Sequence, residues 1–114
     1  MACIFCKIIK HKAPSKIFFE DDNIIVFADF NPRAKLHLLV TPKIHCSRIM
    51  DLPDNITLKI FETVRKITNE LNLHDNFKLV LHNGAAAGQI VEHLHFHYLS
   101  NENNIDIHYK EVRA

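Results

Sequence analysis

The chain has 114 residues, 47% hydrophobic and 24% charged, with a formal net charge of +1 when its nine histidines are neutral. That length suits one core, so a single domain over residues 1–114 is expected, and the near-neutral charge gives no electrostatic basis for a nucleic-acid or membrane-surface partner. No apolar run approaches the ~20 residues of a membrane span, the first residues carry too short an apolar run for a secretory leader, and an odd cysteine count of three makes no disulfide framework, so a reducing cytoplasm is the expected compartment.

Residues 3–10 are apolar on one side (Ile4, Phe5, Ile8, Ile9) and read as a brief helix ended before Pro14. Residues 16–20 and 23–28 read as strands joined by an Asp21-Asp22 turn, Asn31-Pro32-Arg33 as a loop, and residues 36–41 as a third strand stopped by Pro42. Residues 45–50 are expected to form a short helix. The long helix is expected over residues 54–73, with Ile56, Ile60, Phe61, Val64, Ile67 and Leu71 on one face and a Glu62–Lys66 pair on the other. Residues 77–82 are a fourth strand, residues 92–99 a fifth, and residues 105–109 a weak strand in a polar tail. Strands in short connections around one long helix suggest an α+β antiparallel sheet.

The fifth strand carries the chemistry. Residues 92–99 read Glu-His-Leu-His-Phe-His-Tyr-Leu. Successive strand side chains point to opposite faces, so His93, His95 and His97 share one face and Leu94, Phe96 and Tyr98 the other. A helix would scatter the three imidazoles. Packing does not explain three histidines on one face, because each buried imidazole needs a hydrogen-bond partner. The chain's two glycines, Gly84 and Gly88, both lie in the loop leading into this strand. Glycine permits positive φ and close backbone approach to a ligand, and a turn of N–H groups there can cradle an anion. A hairpin turn needing glycine for geometry alone is the competing reading.

The run His93-Leu94-His95-Phe96-His97-Tyr98-Leu99 resembles the histidine triad (HIT) signature, and Gly88-Gln89 resembles that family's Gly-Gln before it. Upstream blocks also look like the bacterial, Hint-like branch: residues 3–9, 27–32 and 37–45, so the likeness spans residues 3 to about 99. The resemblance implies a five-stranded antiparallel sheet with one long helix and a short N-terminal helix, usually paired as a homodimer. It implies a hydrolase or transferase of nucleoside 5′-phosphoramidates and related nucleotidyl compounds, with a purine nucleotide or nucleotidyl small molecule as partner, acting at the α-phosphorus. His95 would be the nucleophile, His97 a contact to phosphate or leaving group, and His37 a supporting histidine. Asp29 and Phe30 would hold the ribose, and Gly88, Gln89 and nearby backbone the phosphate. The family often has asparagine at the end of the fourth strand. Here His82 stands beside Asn83, on opposite faces of a strand, and Asn83 joins the expected substrate-binding set. The other readings are a dinucleoside polyphosphate hydrolase and a zinc-stabilised nucleotide sensor with negligible turnover.

Cys3-x-x-Cys6 has metal-ligand spacing in a histidine-rich chain. A redox pair and two merely buried thiols compete with that reading. In Hint-like relatives with this cysteine pair, the implied ligands of a structural zinc ion are Cys3, Cys6, His45 and His93, a closed set of two thiolates and two imidazoles. Cys46 reads as an ordinary buried thiol, and His11, His74 and His108 as surface residues. The chain departs from animal relatives at Ile90, where they carry a serine that assists the leaving group.

Overall fold

A computed structural model describes residues 3–114. The alternating first half forms three strands, β1 (Ser15–Glu20), β2 (Ile24–Ala28) and β3 (Leu36–Pro42). The β1–β2 turn closes because Asp21 Oδ1 accepts from the N–H groups of Asn23 and Ile24, both at 2.8 Å. Later come β4 (Lys78–Leu81), β5 (Phe96–Ser100) and β6 (Lys110–Val112). All pair antiparallel in one sheet of order β4-β5-β3-β2-β1-β6. The sheet thus has six strands where five were expected. The tail strand forms at Lys110–Val112 and pairs with β1 (Ser15↔Val112, Ile17↔Lys110), beyond the expected residues 105–109.

Two helices cover opposite faces of the sheet. Helix α2 (Asp54–Glu70) buries Ile56, Ile60, Val64 and Ile67 against Ile24, Val26, Leu38, Val40, Leu94, Phe96 and Tyr98. Helix α1 (Ile4–Ile9) packs Phe5 and Ile8 with Ile17, Ile25, Phe27 and Leu39 on the other face. Strand alternation thereby sends even-numbered residues of β3 and β5 toward α2 and odd-numbered ones toward α1. Phe61 sits at the rim of the α2 face, 43% exposed, with its ring edge-on to Phe96.

Both helices stop earlier than their sequence pattern implies, for one reason. Asn72 takes φ 56° after α2, and Leu73 N–H reaches back to Thr68 O while Asn72 N–H reaches Asn69 O. His11 takes φ 57° after α1, with Lys12 N–H to Lys7 O and His11 N–H to Ile8 O. These are Schellman closures built without glycine. The helix expected at residues 45–50 is instead a single 3-10 turn at Ile49–Asp51.

The triad strand is also shorter than expected, because β5 begins only at Phe96. In the β3–β5 register Val40 faces Phe96, which would set Pro42 opposite Leu94. Proline has no N–H to extend the ladder. Leu94 N–H turns to Cys46 O at 2.7 Å instead. Residues 92–95 are therefore held by the segment after β3 and lie outside the ladder.

Candidate active site

His93, His95 and His97 lie on the α1 side of the sheet, all buried. Leu94, Phe96 and Tyr98 go the other way into the α2 core. The ring of Phe5 meets His95 edge-on at 5.0 Å, so α1 forms a wall of the site. A cavity of about 350 Å³ opens over His95 and His97, with Asp29, Phe30, His82 and Arg33 among its lining and Ile4, Gly88 and Ile90 at its rim. A larger cavity, about 600 Å³, lies on the far side of Asp29 and Phe30 against β6; it touches His37 but neither His95 nor His97. The smaller one is the cavity that His82, His95 and His97 line together.

Hydrogen-bond partners assign the tautomers. His95 Nδ1 lies 2.7 Å from His93 O. A carbonyl only accepts, so Nδ1 carries the proton and Nε2 of a neutral His95 keeps a lone pair. Arg33 N–H donates to His37 Nδ1 at 3.1 Å, so the His37 proton sits on Nε2, 2.8 Å from His97 Nδ1. His97 Nδ1 therefore accepts, and its own proton is on Nε2. Asp29 Oδ2 lies 3.3 Å from His37 Nε2, while Asp29 Oδ1 accepts from Asn31 N–H. The Asp29–His37–His97 cluster has metal-like spacing, but this relay already engages its facing atoms.

Electrostatics favour the neutral forms of His95, His97 and His37. Burial lowers the pKa of His95, the Asp29 charge opposing and a His82 charge assisting. His97 is pushed down to about 4 by burial, then by positive charge on His95, His37 and His82. Burial also lowers His37, partly offset by Asp29. An unprotonated imidazole beside a proton-bearing one is the pairing that nucleophilic attack at phosphorus needs.

Several expected substrate contacts are used by the protein itself. Gln89 is buried, and its Oε1 accepts from Gly84 N–H at 2.7 Å and Arg48 Nη1 at 3.0 Å. Its Nε2 donates to Ser47 O and Val91 O, both at 2.9 Å. With both donors and both acceptor positions engaged, Gln89 shapes the loop. Asn83 Oδ1 accepts from Ile49 N–H at 2.8 Å and so latches β4 to the 3-10 turn. His82, one residue earlier, faces the cavity with its ring 5.0 Å from that of His97. Gly88 adopts φ 97°, ψ 10°, which a side chain would strain. Phe30 is 64% exposed at the cavity edge. Sequence reasoning missed Arg48, which also grips Glu92 at 2.6 Å, and Arg33; nothing local in the sequence marks either.

Next to the site, Cys3, Cys6, His45 and His93 bring one ligand atom each within 4.8 Å of one another. His93 Nε2–H donates to Pro42 O at 2.8 Å, leaving the Nδ1 lone pair toward Cys3 Sγ at 3.6 Å and Cys6 Sγ at 3.7 Å. His45 Nδ1 lies 3.3 Å from Cys6 Sγ. A tetrahedral zinc with usual Zn–S and Zn–N lengths sets S···N edges of about 3.6 Å. The donor set fits that ion.

The HIT domain profile matches residues 10–104. The adenosine 5′-monophosphoramidase of Candida albicans is 36% identical over 105 residues, 86% of this chain and 69% of that protein. A histidine triad protein from Clostridium difficile superposes with a TM-score of 0.83 at 37% identity, covering 93% of this chain and 96% of that one. A zinc-bound histidine triad family protein from Mycobacterium smegmatis does so with a TM-score of 0.80 at 31% identity, over 91% and 78%. Profile, sequence and fold agree over nearly the same residues, and the chain belongs to the histidine triad family.

Proposed function

We propose that this protein is a nucleotidyl hydrolase or transferase that cleaves nucleoside 5′-phosphoramidates or related compounds at the α-phosphorus. The observation that carries the reading is the His95 tautomer, whose Nδ1–H on His93 O leaves Nε2 as a lone pair in the cavity. His95 Nε2 attacks phosphorus, the P–N bond breaks, and the amine departs with a proton. Water then cleaves the P–Nε2 bond, releasing the nucleotide and restoring His95. His97 Nε2–H and the Arg33 cation steady the phosphoryl oxygens, Asp29 accepts from the ribose hydroxyls, and Phe30 with Ile4 and Phe5 provides the apolar wall. The relatedness to a phosphoramidase supports this substrate class.

The test is AMP release from adenosine 5′-phosphoramidate by the wild type and by His95→Ala. Release that falls by more than about 10³-fold in the variant supports the nucleophile role; equal release by both removes it. Preference for a diadenosine polyphosphate would shift the reading to a dinucleoside polyphosphate hydrolase, and binding without release to a sensor.

We infer that Cys3, Cys6, His45 and His93 hold a structural zinc ion, in line with the zinc-bound relative. Four protein ligands close the coordination sphere, so the ion supplies anchoring and leaves the chemistry to the imidazoles. Through His93 it steadies the carbonyl that sets the His95 tautomer.

A further inference from the structure

We propose that His82 is the acid that protonates the leaving group, a role that rests on the reaction proposed above. His82 follows directly on β4 and lines the cavity that holds His95 and His97. Its ring is half-buried, 5.0 Å from the His97 ring and inclined at 43°. Gly88 lies against it: a Cβ there would stand at ordinary contact distance, 3.8 Å from His82 Cγ and Nδ1. The ring is thus packed at the mouth of the site yet partly exposed to solvent.

Amine leaving groups are poor as anions, so P–N cleavage needs a proton on nitrogen. The other groups in the cavity, and His37 behind it, are committed. His95 Nδ1–H is held by His93 O, and its Nε2 forms the new bond. His97 accepts from His37 at Nδ1 and, pushed down to about 4, is neutral near pH 7. Its one remaining proton would leave an imidazolate behind. His37 is bracketed by Arg33 N–H and His97. Asp29 accepts from Asn31 N–H and neighbours His37. The Arg33 guanidinium does not release its proton. Ile90 presents no hydroxyl. Among the described residues of this cavity, His82 is the one imidazole without a protein hydrogen bond.

The step balances without a further reactant. As Nε2 of His95 bonds to phosphorus, the P–N electron pair goes to nitrogen, which takes the His82 proton. In hydrolysis, the incoming water gives its proton to the now neutral His82 while its oxygen bonds to phosphorus, and His82 is recharged.

The experiment compares two leaving groups in wild type and His82→Asn. Adenosine 5′-phosphoramidate needs a proton for departure; the p-nitrophenyl ester of AMP expels a stable phenolate and does not. The expected result is a loss of about 10²-fold or more in kcat/KM for the phosphoramidate, with the nitrophenyl ester changed by less than about threefold. Equal losses on both compounds, or none on the phosphoramidate, overturn the proposal. Should His82→Asn not fold, His82→Gln replaces it under the same criteria. Wild-type turnover of the ester through His95 without turnover of the phosphoramidate would sink the acid role and leave the His95 reading standing. No wild-type turnover of either removes both.

Discussion

Ile90 holds its side chain 91% exposed at the rim of the cavity. Because it packs on so little, replacing it should change stability by no more than about 0.5 kcal/mol. Ile90→Ser would add a hydroxyl where the leaving group exits, a polar contact that amounts to roughly 10-fold in rate. The expected outcome is faster release of alkyl amines from AMP phosphoramidates with an unchanged melting temperature; no gain with poor leaving groups counts against a leaving-group role for this position. The residue scale is also where the sequence was most and least legible. Alternation alone separated His93, His95 and His97 from Leu94, Phe96 and Tyr98, because a period of two survives even where residues 92–95 leave the ladder. It did not reveal that Gln89 spans Gly84, Arg48, Ser47 and Val91, since those partners meet only when the loop folds onto the segment after β3. Sequence reasoning set Asn83 among the substrate contacts and left His82 unassigned, whereas His82 is the one that lines the cavity. Both lie past the last residue of β4, where alternation stops applying.

At the scale of elements, α1 is the vulnerable piece. It has six residues, too few to be stable as an isolated helix. Its N-cap is Cys3, whose Sγ accepts from Cys6 N–H at 3.5 Å. Its Phe5 forms the wall against His95. An ion joining Cys3 and Cys6 to His45 and His93 would therefore hold both the helix and the active-site wall. The protein as isolated should contain close to one zinc per chain by elemental analysis. Stripping it with a strong chelator should lower Tm by roughly 10 °C, from a loss of about 3 kcal/mol, and slow AMP release in parallel. Metal content near zero with chelator-insensitive melting would defeat the structural-ion reading. Element identity was readable from periodicity, but element ends were not. Left-handed His11 and Asn72 end the helices although neither is the glycine that usually signals a stop. β6 is only three residues long, and its pairing with β1 depends on a partner about 95 positions away.

For the molecule as a whole, one consequence of clustering imidazoles beneath α1 is a stability that falls in mild acid. His97 and His37 have pKa values lowered chiefly by burial, His97 to about 4. An unfolded histidine titrates near 6.5. Between about pH 6.5 and 4 the unfolded chain binds a proton at His97 that the native state refuses, so unfolding gains from acidification. The contribution of neutral His97 is complete above about 6.5, is lost progressively as pH falls, and changes no further below about 4. Each such histidine adds a slope of at most about 1.4 kcal/mol per pH unit. Glu20 acts in a lower window. Burial raises its pKa, but hydrogen bonds from Lys43 and His11 outweigh that and hold it below the ordinary carboxylate value. Its stabilisation is lost only as pH drops beneath about 4.5, through its folded value. Urea midpoints measured at pH 7.5, 6.5, 5.5 and 4.5 should therefore be level across the first pair and decline over the last three. His97→Gln, which removes the most strongly shifted group, should flatten that decline while abolishing little of the stability at pH 7.5 beyond the lost His37 contact. A midpoint that rises toward pH 5, or a slope untouched by His97→Gln, would mean that the imidazole relay accepts protons readily in the folded state. His97 could then carry a proton to the leaving group itself, and the assignment of that role to His82 would fall.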